Sequence, residues 1–550
     1  MKKTPSSIFY NGFIYTLNDK NDIYGAMAVQ DGKIVALGTD DEILALKGQN
    51  TEVYDLKKHV VIPGLIDTHA HIFRVGLSEL REEKFIPTSI TELLNYIKEK
   101  VKLIKPGEWL YFPNTYPTRL KEYRFPTLEE LDSAAPNNPV YVDGAYAGQA
   151  NSYLLRLLNI DENSPDPENG KFIRDPQTGK LTGLLFRCGN IVKKVMVQDN
   201  YNIEDIKNGF LNIQSKYNEL GITSVIDPMT NENDIRALNE LYEEGKLSLR
   251  TVLTGLVTST DSATDYLEKL KSLVETPAEW GKLSFCKVMI DGGILTGTSY
   301  MRKPYNDTLG VFGIKFEGFR GIVQYDAFQL KDFINIAYDT GLQMTAHCIG
   351  DAAVDLFLDA YEAFNKENDI TEKRYSIIHC DFSDDQTLKR IKKLNLSILF
   401  QPMWHYMDGD ILNKVLDSNT MNTFLPYRKY VEIDIHAASG SDHMIKYDSL
   451  RSQNPYNPFH ALYNMVTRKT RFGNVIGGEY CISRYDAIKM YTGKASYVSF
   501  DENIKGTLEV GKVADFAVLS QDYFNCPEEE IKNIFSVMTV VGGKVVHSKV

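Results

Sequence analysis

Short apolar runs alternate with helix-like patterns through most of the chain, and this alternation constrains the fold more than any other feature. Eight runs are typical of buried parallel strands, because they are short, apolar and mostly rich in β-branched residues. They span residues 61–67, 222–227, 250–255, 283–290, 343–347, 376–379, 396–401 and 437–441. Amphipathic patterns between them predict helices, for example over 203–220, 327–340, 352–368 and 384–394. Eight β/α units predict an α/β fold of the (β/α)8 TIM-barrel type.

The two ends of the chain differ from this middle, because they consist of short β-rich runs and tight turns. Runs of this kind lie at 7–17, 26–30, 33–37, 51–56, 516–519, 536–541 and 544–547. We therefore predict a composite β-sandwich domain from residues 1–60 and 505–550, next to a barrel of residues 61–504. About 150 residues separate the first two barrel strands, which is too many for one crossover. Residues 73–200 are predicted to form a subdomain inserted within the barrel.

Four of the ten histidines and one aspartate fall at the C-terminal ends of predicted strands. His69 and His71 follow the first strand, and residues two apart on an extended chain point the same way, as two ligands of one metal would. His347 ends the fifth strand, His379 ends the sixth, and Asp442 follows the eighth. Catalytic residues of barrels come from the C-terminal ends of different strands. These residues together predict a metal centre, although each alone could be an ordinary core residue.

Lys287 lies inside the apolar fourth strand, where a lysine is unusual unless it is paired. One explanation is that CO₂ carbamylates its amine and turns it into a bridge between two cations. The alternative is a lysine at a strand end that reaches solvent or pairs with Asp291. The sequence does not decide between these readings.

Composition excludes several classes of partner. The 550 residues include 61 Lys and Arg against 73 Asp and Glu, a net charge of −12, so neither nucleic acid nor anionic membrane is expected to bind. The chain contains no run of 18 apolar residues, so no transmembrane helix is expected. No apolar segment follows the N-terminal lysines, so no secretory signal is expected. The six scattered cysteines are typical of reduced thiols in the cytoplasm. We expect a small-molecule substrate.

The motifs resemble the amidohydrolase superfamily and, within it, amidohydrolase family 3, the group of YtcJ-like proteins and N-substituted formamide deformylases. The resemblance covers nearly the whole chain and implies a metal-dependent hydrolase, usually a zinc enzyme and a homodimer. The matching segments are PGLIDTHAHI (63–72), KVMIDGG (287–293), AHCIGDAAV (346–354), IIHCD (377–381), GSDHM (440–444) and KGTLEVGKVADFAVL (505–519).

The resemblance also implies a role for each ligand residue. His69, His71 and Asp442 would hold one divalent metal ion, while His347 and His379 would hold a second. Members of the family differ in whether one or both sites are filled.

The same resemblance implies that a carbamate on Lys287 bridges the two sites. A divalent metal lowers the pKa of bound water to about 7. Asp442 is expected to take the proton of that water as general base and to pass it, as general acid, to the leaving nitrogen.

Weaker candidates for substrate binding surround the predicted centre. Gln401 and His405 follow the seventh strand, and His405 could donate to a substrate oxygen or be an ordinary loop histidine. Asp291 follows the fourth strand and heads a glycine-rich loop that could cover the pocket or serve only for turns. Arg428 precedes the eighth strand and could bind substrate, but a role in a structural ion pair is the favoured interpretation.

The chain departs from the common family pattern at two positions that could touch substrate. Many members have an arginine where this chain has Gly297, and many have a histidine in the region of the insert where this chain has Tyr146. The insert is also rich in aromatic residues between 109 and 125, which could line a pocket or, more simply, form the core of the subdomain. Substrate specificity therefore cannot be transferred from the family.

We expect hydrolysis of a C–N bond other than a peptide bond, in a linear or cyclic amide. The alternative enzyme is a deaminase of an aminated heterocycle or an amidine, which would use one metal ion and no bridging lysine. A non-catalytic regulatory barrel is the third possibility, but it would have no need of so many ligands in register.

Overall fold

The structure is a computed structural model that describes residues 4–80, 85–113, 115–196, 200–445 and 454–549. Its largest sheet has eight parallel strands that follow one another in chain order. The barrel strands are Leu65–Asp67, Ile222–Ile226, Arg250–Leu256, Gly281–Met289, Gln343–Cys348, Ser376–His379, Ser397–Phe400 and Ala437–Ser439. The first and eighth strands meet through loop hydrogen bonds, among them the Asp442 N–H donating to the His69 carbonyl at 2.7 Å. The predicted TIM-barrel fold is confirmed.

Helices cover the outside of the barrel, and most begin at a side chain that caps them. The four helices predicted above are present, and Asn202 and Asp326 start two of them with capping boxes. The main helices of the barrel are Ile203–Asn218, Glu232–Glu243, Ala263–Leu273, Ala327–Asp339, Asp351–Asn365, Asp385–Lys393, Pro402–Val415 and Pro458–Thr467. Short helices at Ser418–Met421, Tyr427–Glu432, Arg484–Lys489 and Gly493–Val498 complete the C-terminal half.

Two smaller sheets contain strands from the ends of the chain. One has the order Lys33–Gly38, Ala26–Gln30, Ser7–Tyr10 and Glu52–Asp55. The other has the order Lys544–Ser548, Ser536–Val541, Phe516–Leu519, Val60–Pro63, Phe13–Tyr15 and Ile23–Tyr24. A separate apolar cluster, which includes Phe9, Val29, Val61 and Phe516, lies between the two sheets. The exact limits predicted for the domains stay a prediction.

Two predicted strands are each divided between different sheets. The run at 7–17 breaks at the turn around Asn11 into one strand for each small sheet. The run at 61–67 breaks at Gly64, so that Val60–Pro63 belongs to the six-stranded sheet and only Leu65–Asp67 belongs to the barrel. A Cβ atom on Gly64 would lie 2.1 Å from Thr223 Oγ1, so only glycine fits where the chain passes between the sheets.

The segment between the first two barrel strands contains a sheet of its own. Its five strands lie in the order Lys171–Arg174, Leu181–Phe186, Ala147–Ala150, Val140–Asp143 and Leu110–Phe112. Its helices are Ile90–Lys100, Leu128–Ala134, Ser152–Leu157 and Gly189–Lys193. These elements form the insert, which comprises residues 85–113 and 115–196. Among the described residues, no helix has the length and apolar character needed to cross a membrane.

Candidate metal centre

Three predicted ligands converge at the mouth of the barrel. One oxygen of Asp442, Oδ1, lies 3.4 Å from His69 Nε2 and 3.4 Å from His71 Nε2. The three ligand atoms lie within 4.8 Å of one another, and all three residues are buried. In a tetrahedral zinc site with bonds of about 2.1 Å, two ligands are about 3.4 Å apart. The spacing and the N, N, O donor set therefore fit a divalent cation such as zinc.

The other two predicted histidines lie beside this group, and a hydrogen bond orients the ring of His379. His379 Nδ1 lies 2.6 Å from Gln401 Oε1, while the amide nitrogen of Gln401 donates to the Leu399 carbonyl. This orientation of the Gln401 amide makes Nδ1 of His379 the hydrogen-bond donor and leaves the lone pair of Nε2 free. The His379 ring is 5.5 Å from the His69 ring and 4.6 Å from the His347 ring, between centroids. His347 and His379 are thus adjacent, as a second metal site would require.

His347 connects two of the predicted substrate residues. Its Nδ1 lies 3.2 Å from Asp291 Oδ1, and its Nε2 lies 2.8 Å from the Tyr146 hydroxyl. The Asp291 carboxylate also accepts backbone N–H groups of Tyr300, Ile349 and Gly350. Burial raises the pKa of Asp291 to about 7, and these three hydrogen bonds oppose the rise. Tyr146, the residue that departs from the family pattern, therefore contacts a predicted ligand directly.

The electrostatics of the centre keep its imidazoles neutral. Burial, followed by the positive charge of Lys287, lowers the pKa of His69 and of His347 well below the usual value of 6.5. Burial and the neighbouring His347 do the same to the pKa of His379. Metal ligation requires neutral imidazole, so the histidines have the protonation state of ligands at neutral pH.

Asp442 keeps its charge in the same surroundings. Burial by itself would raise the pKa of Asp442, but the hydrogen bonds with His69 and His71 outweigh it and hold the pKa well below 3.8. Lys287 is buried within the site, and burial lowers its pKa to about 8 against the opposing charges of Asp442 and Asp227. The lysine side chain thus faces the centre and does not reach solvent.

Two buried aspartates in the site were missed by the sequence reasoning. Asp67 accepts the backbone N–H groups of His69 and Ser441 through Oδ1 and the Ser441 hydroxyl through Oδ2, so it joins the loops that carry the ligands. Asp227 lies close enough to His71 and Lys287 to act on the pKa of both. Each aspartate lies at the C-terminal end of a predicted strand, the same signal that identified the histidines.

Two predicted substrate residues make local contacts that the sequence does not show: His405 has both ring nitrogens occupied, and Arg428 lies on the surface. His405 is fully buried: its Nδ1 accepts from Asn464 and its Nε2 donates to the Ile476 carbonyl at 3.0 Å, which leaves neither nitrogen free. Arg428 is exposed on the short helix Tyr427–Glu432, and its Nε donates to the Cys481 carbonyl. The sequence shows which strand each residue adjoins but does not show these local partners.

The departure at Gly297 has a structural reason. Its φ is 66°, which is the left-handed region, and an added Cβ would lie 2.6 Å from the Phe312 ring. No arginine can occupy this position without moving Phe312. The aromatic residues of the insert are mostly core: Trp109 and Tyr111 pack in the cluster of the insert, while Phe112 and Phe125 pack in the main core.

A sequence model described as the amidohydrolase family matches residues 52–547. The chain belongs to the amidohydrolase family. The resemblance predicted from the motifs is thereby confirmed, and the coarse function of a metal-dependent hydrolase follows from it.

Individual relatives agree with this assignment over nearly the whole chain. YtcJ of Bacillus subtilis (strain 168) is 25% identical over 99% of this chain and 99% of its own length. An N-substituted formamide deformylase of Arthrobacter pascens is 24% identical over 97% of this chain and 96% of its own length. A solved structure described as an uncharacterized metal-dependent hydrolase from Pyrococcus furiosus superimposes with a TM-score of 0.67 at 23% identity, covering 94% of this chain and 100% of that one. At this identity the last likeness concerns the fold alone.

Proposed function

We propose that this amidohydrolase hydrolyses a C–N bond other than a peptide bond, in a linear or cyclic amide of a small molecule. The observation that carries the proposal is the buried group of His69, His71 and Asp442, whose ligand atoms lie within 4.8 Å of one another. The relative named N-substituted formamide deformylase, which acts on an amide by that name, supports the choice of bond.

Asp442 is the residue that moves the proton in this proposal. A divalent cation at these ligands, zinc by the family resemblance, supplies Lewis acidity that polarises a carbonyl and brings the pKa of water to about 7. Asp442 is ionised at neutral pH and therefore accepts a proton from the attacking water at a carboxylate oxygen. It then returns that proton to the leaving nitrogen, which departs as a neutral amine.

Neighbouring side chains orient the substrate and the ligands. Gln401 fixes the ring of His379, and Asp291 faces Nδ1 of His347, so both imidazoles present Nε2 inward. If a metal ion took the Nε2 lone pair of His347, the Tyr146 hydroxyl, 2.8 Å from that atom, would be free to donate to a substrate oxygen next to the ring. We assign Tyr146, Gln401 and Asp291 these positioning roles.

The test is a hydrolysis assay on the zinc-loaded protein with and without Asp442. The substrates are N-formyl compounds, N-acyl amino acids, hydantoins and aryl amides. Asp442→Asn should lower kcat by about 10²–10⁴-fold, because the general base is lost. Asp332→Asn removes the same charge from an exposed position on the helix Ala327–Asp339 and should leave the rate unchanged.

Two results would contradict the proposal. If zinc-loaded wild-type protein cleaves no amide in the panel, the assignment of bond type is wrong. If Asp442→Asn cleaves a substrate as fast as the wild type, Asp442 is not the proton carrier.

The second candidate is deamination of an aminated heterocycle or amidine on the same scaffold. It is favoured by the observation that, among the described residues, the cluster with metal-ligand spacing contains only His69, His71 and Asp442, which is enough for one ion. The amide proposal instead includes His347, His379 and a carbamate on Lys287 as parts of a two-ion centre.

Three further expectations accompany the proposal. A cytoplasmic location is supported by the six cysteines, all of which are free thiols. A homodimer follows from the family resemblance alone. The acidic net charge of −12 supports a protein that binds neither nucleic acid nor membrane.

A further inference from the structure

Arg187 extends from the insert toward the metal centre. It follows the strand Leu181–Phe186, and its backbone N–H donates to the Tyr146 carbonyl at 2.7 Å. Ala147 pairs with Phe186 in the same antiparallel ladder, so Tyr146 and Arg187 are the next opposed pair and share a face. Tyr146 contacts His347 on that face, and Nη1 of Arg187 reaches the Asp291 carbonyl at 3.3 Å. Arg187 therefore adjoins the centre beside His347.

The guanidinium of Arg187 has few hydrogen-bond partners. Within the described part of the chain, no carboxylate lies within ion-pair distance of this side chain, and its one hydrogen bond is the bond to Asp291, although a guanidinium carries five N–H donors. The side chain is partly buried, and its surroundings lower its pKa because of desolvation.

Other buried arginines show what a purely structural guanidinium has in this protein. Arg250 forms an ion pair with Asp515 through two nitrogens, at 2.6 and 3.0 Å. Arg468 donates to the carbonyl oxygens of Phe424, Leu425 and Ile476. Arg187 has neither kind of partner set, so its remaining donors are available to a ligand.

The backbone at Arg187 is also held in a costly conformation. Its φ is 52°, in the left-handed region that side chains other than glycine and asparagine seldom adopt. Such conformations are energetically unfavourable and cluster at functional sites. The hydrogen bond from its N–H to the Tyr146 carbonyl holds the backbone of Arg187 beside Tyr146.

We propose that Arg187 binds a carboxylate of the substrate, so that the amide hydrolysed here is an N-acylated amino acid or a similar anionic amide. This inference rests on the proposed function. Arginine binds carboxylate through two parallel N–H donors, which adds both affinity and orientation. The anion lies on the side of the centre formed by Tyr146, Asp291 and His347, and the scissile amide lies toward Asp442.

The test measures binding with compounds that cannot be hydrolysed. The probes are keto acids from 4-oxopentanoate to 8-oxononanoate, which copy N-acetylglycine and its longer homologues with a methylene in place of the amide nitrogen. The methyl ester of each acid is the neutral control. Calorimetric titration of the zinc-loaded wild type should show, for at least one length, about 10- to 100-fold tighter binding of the acid than of its ester.

Three variants distinguish the role of the Arg187 side chain from the effect of positive charge anywhere on the insert. Arg187→Gln should lose the preference for the acid and keep the affinity for the ester, while Arg187→Lys should keep part of the preference. Arg156→Gln removes one exposed positive charge from the helix Ser152–Leu157 and should behave as the wild type. Zinc content and melting temperature should match the wild type, since glutamine adopts the left-handed φ at the same cost as arginine.

The proposal is wrong if the wild type shows no preference for an acid at any length, or if Arg187→Gln keeps the preference. A purely structural role for Arg187 would lower stability or zinc content and would leave the ratio of acid to ester affinity unchanged. Binding is measured apart from turnover, so a preference for the acid in a protein that cleaves no amide would contradict the proposed reaction and not the role of Arg187.

Discussion

Individual residues at the centre hold conformations and charges that a core normally avoids. Asp442 has a φ of 52° and His379 one of 73°, both left-handed. Each costs about 1–3 kcal/mol, and surrounding contacts hold them in place. The backbone of Asp442 is held on both sides: its N–H donates to the His69 carbonyl, and its carbonyl accepts from Asn454 at 2.6 Å. Both strained residues carry side chains that belong to the candidate metal centre.

Carbamylation of Lys287 is expected to depend on pH. The pKa of Lys287 is lowered by burial to about 8, and only the unprotonated amine reacts with CO₂, so the reactive fraction rises as pH rises through that value. We expect zinc-loaded protein in bicarbonate to carry one CO₂ adduct above about pH 8 and much less below about pH 7. The measurement is carbon-13 NMR with labelled bicarbonate, together with native mass.

Lys287→Met is the control and should show no carbamate signal. Zinc-loaded wild-type protein that carries no adduct at the higher pH would contradict the bridged centre and would favour the single-ion deaminase.

Among the elements, the short helix Ile72–Ser78 begins directly after His71, a candidate ligand that is its N-cap residue. It crosses the helix Ile203–Asn218 at two glycines. A Cβ on Gly76 would lie 2.5 Å from the backbone carbon of Gly209, so the two helices touch backbone to backbone. The His71 loop is thus positioned by a crossing that has no space for a methyl group.

Gly76→Ala is expected to push these helices apart. Overpacking of this kind costs about 1–3 kcal/mol of unfolding free energy. Because the helix carries the His71 loop, the affinity for zinc should fall as well. Urea denaturation and zinc titration measure the two effects.

Gly189→Ala is the matched control, because nothing lies within 4 Å of a Cβ built at that glycine. It should change the stability by less than about 0.5 kcal/mol. Equal stability and zinc affinity in the two variants would show that the crossing does not position His71.

Across the whole molecule, a buried ion pair joins the barrel to the six-stranded sheet. Arg250 begins the third barrel strand, and Asp515 directly precedes the strand Phe516–Leu519. Their atoms Nε and Oδ2 are 2.6 Å apart, and Oδ1 of Asp515 also accepts the Gly542 N–H. The guanidinium lies over the Trp280 ring, 4.3 Å from its centroid. The pair lies at the N-terminal end of the barrel, opposite the metal centre.

Asp515→Ala is expected to destabilise the protein strongly and leave its chemistry intact. It leaves Arg250 buried without a partner, which costs about 3–5 kcal/mol. Thermal unfolding should therefore occur at a clearly lower temperature, while zinc content and kcat in the folded protein should remain unchanged.

Asp385→Ala is the control for an exposed ion pair, since Asp385 pairs with Lys429 at the surface. It should cost less than about 1 kcal/mol. A similar melting temperature in both variants would mean that the buried pair adds no stability to the junction.

The barrel and the strand-end positions of the candidate ligands could be predicted from the sequence, because buried parallel strands are apolar on both faces and polar residues at their ends stand out. For the same reason His69, His71, His347, His379 and Asp442 were identified one by one. Which strand end a residue occupies is a local property of the chain.

Which distant residues contact one another is not a local property of the chain, and only the tertiary structure decided it. The sequence could not show that 7–17 and 61–67 each divide between two sheets, since a run of apolar residues looks the same in either sheet. Nor could it show that His405 is satisfied by Asn464, or that Arg187 reaches the centre from the insert. These features depend on which atoms meet after folding, because burial and hydrogen bonding are properties of the assembled molecule and not of a segment.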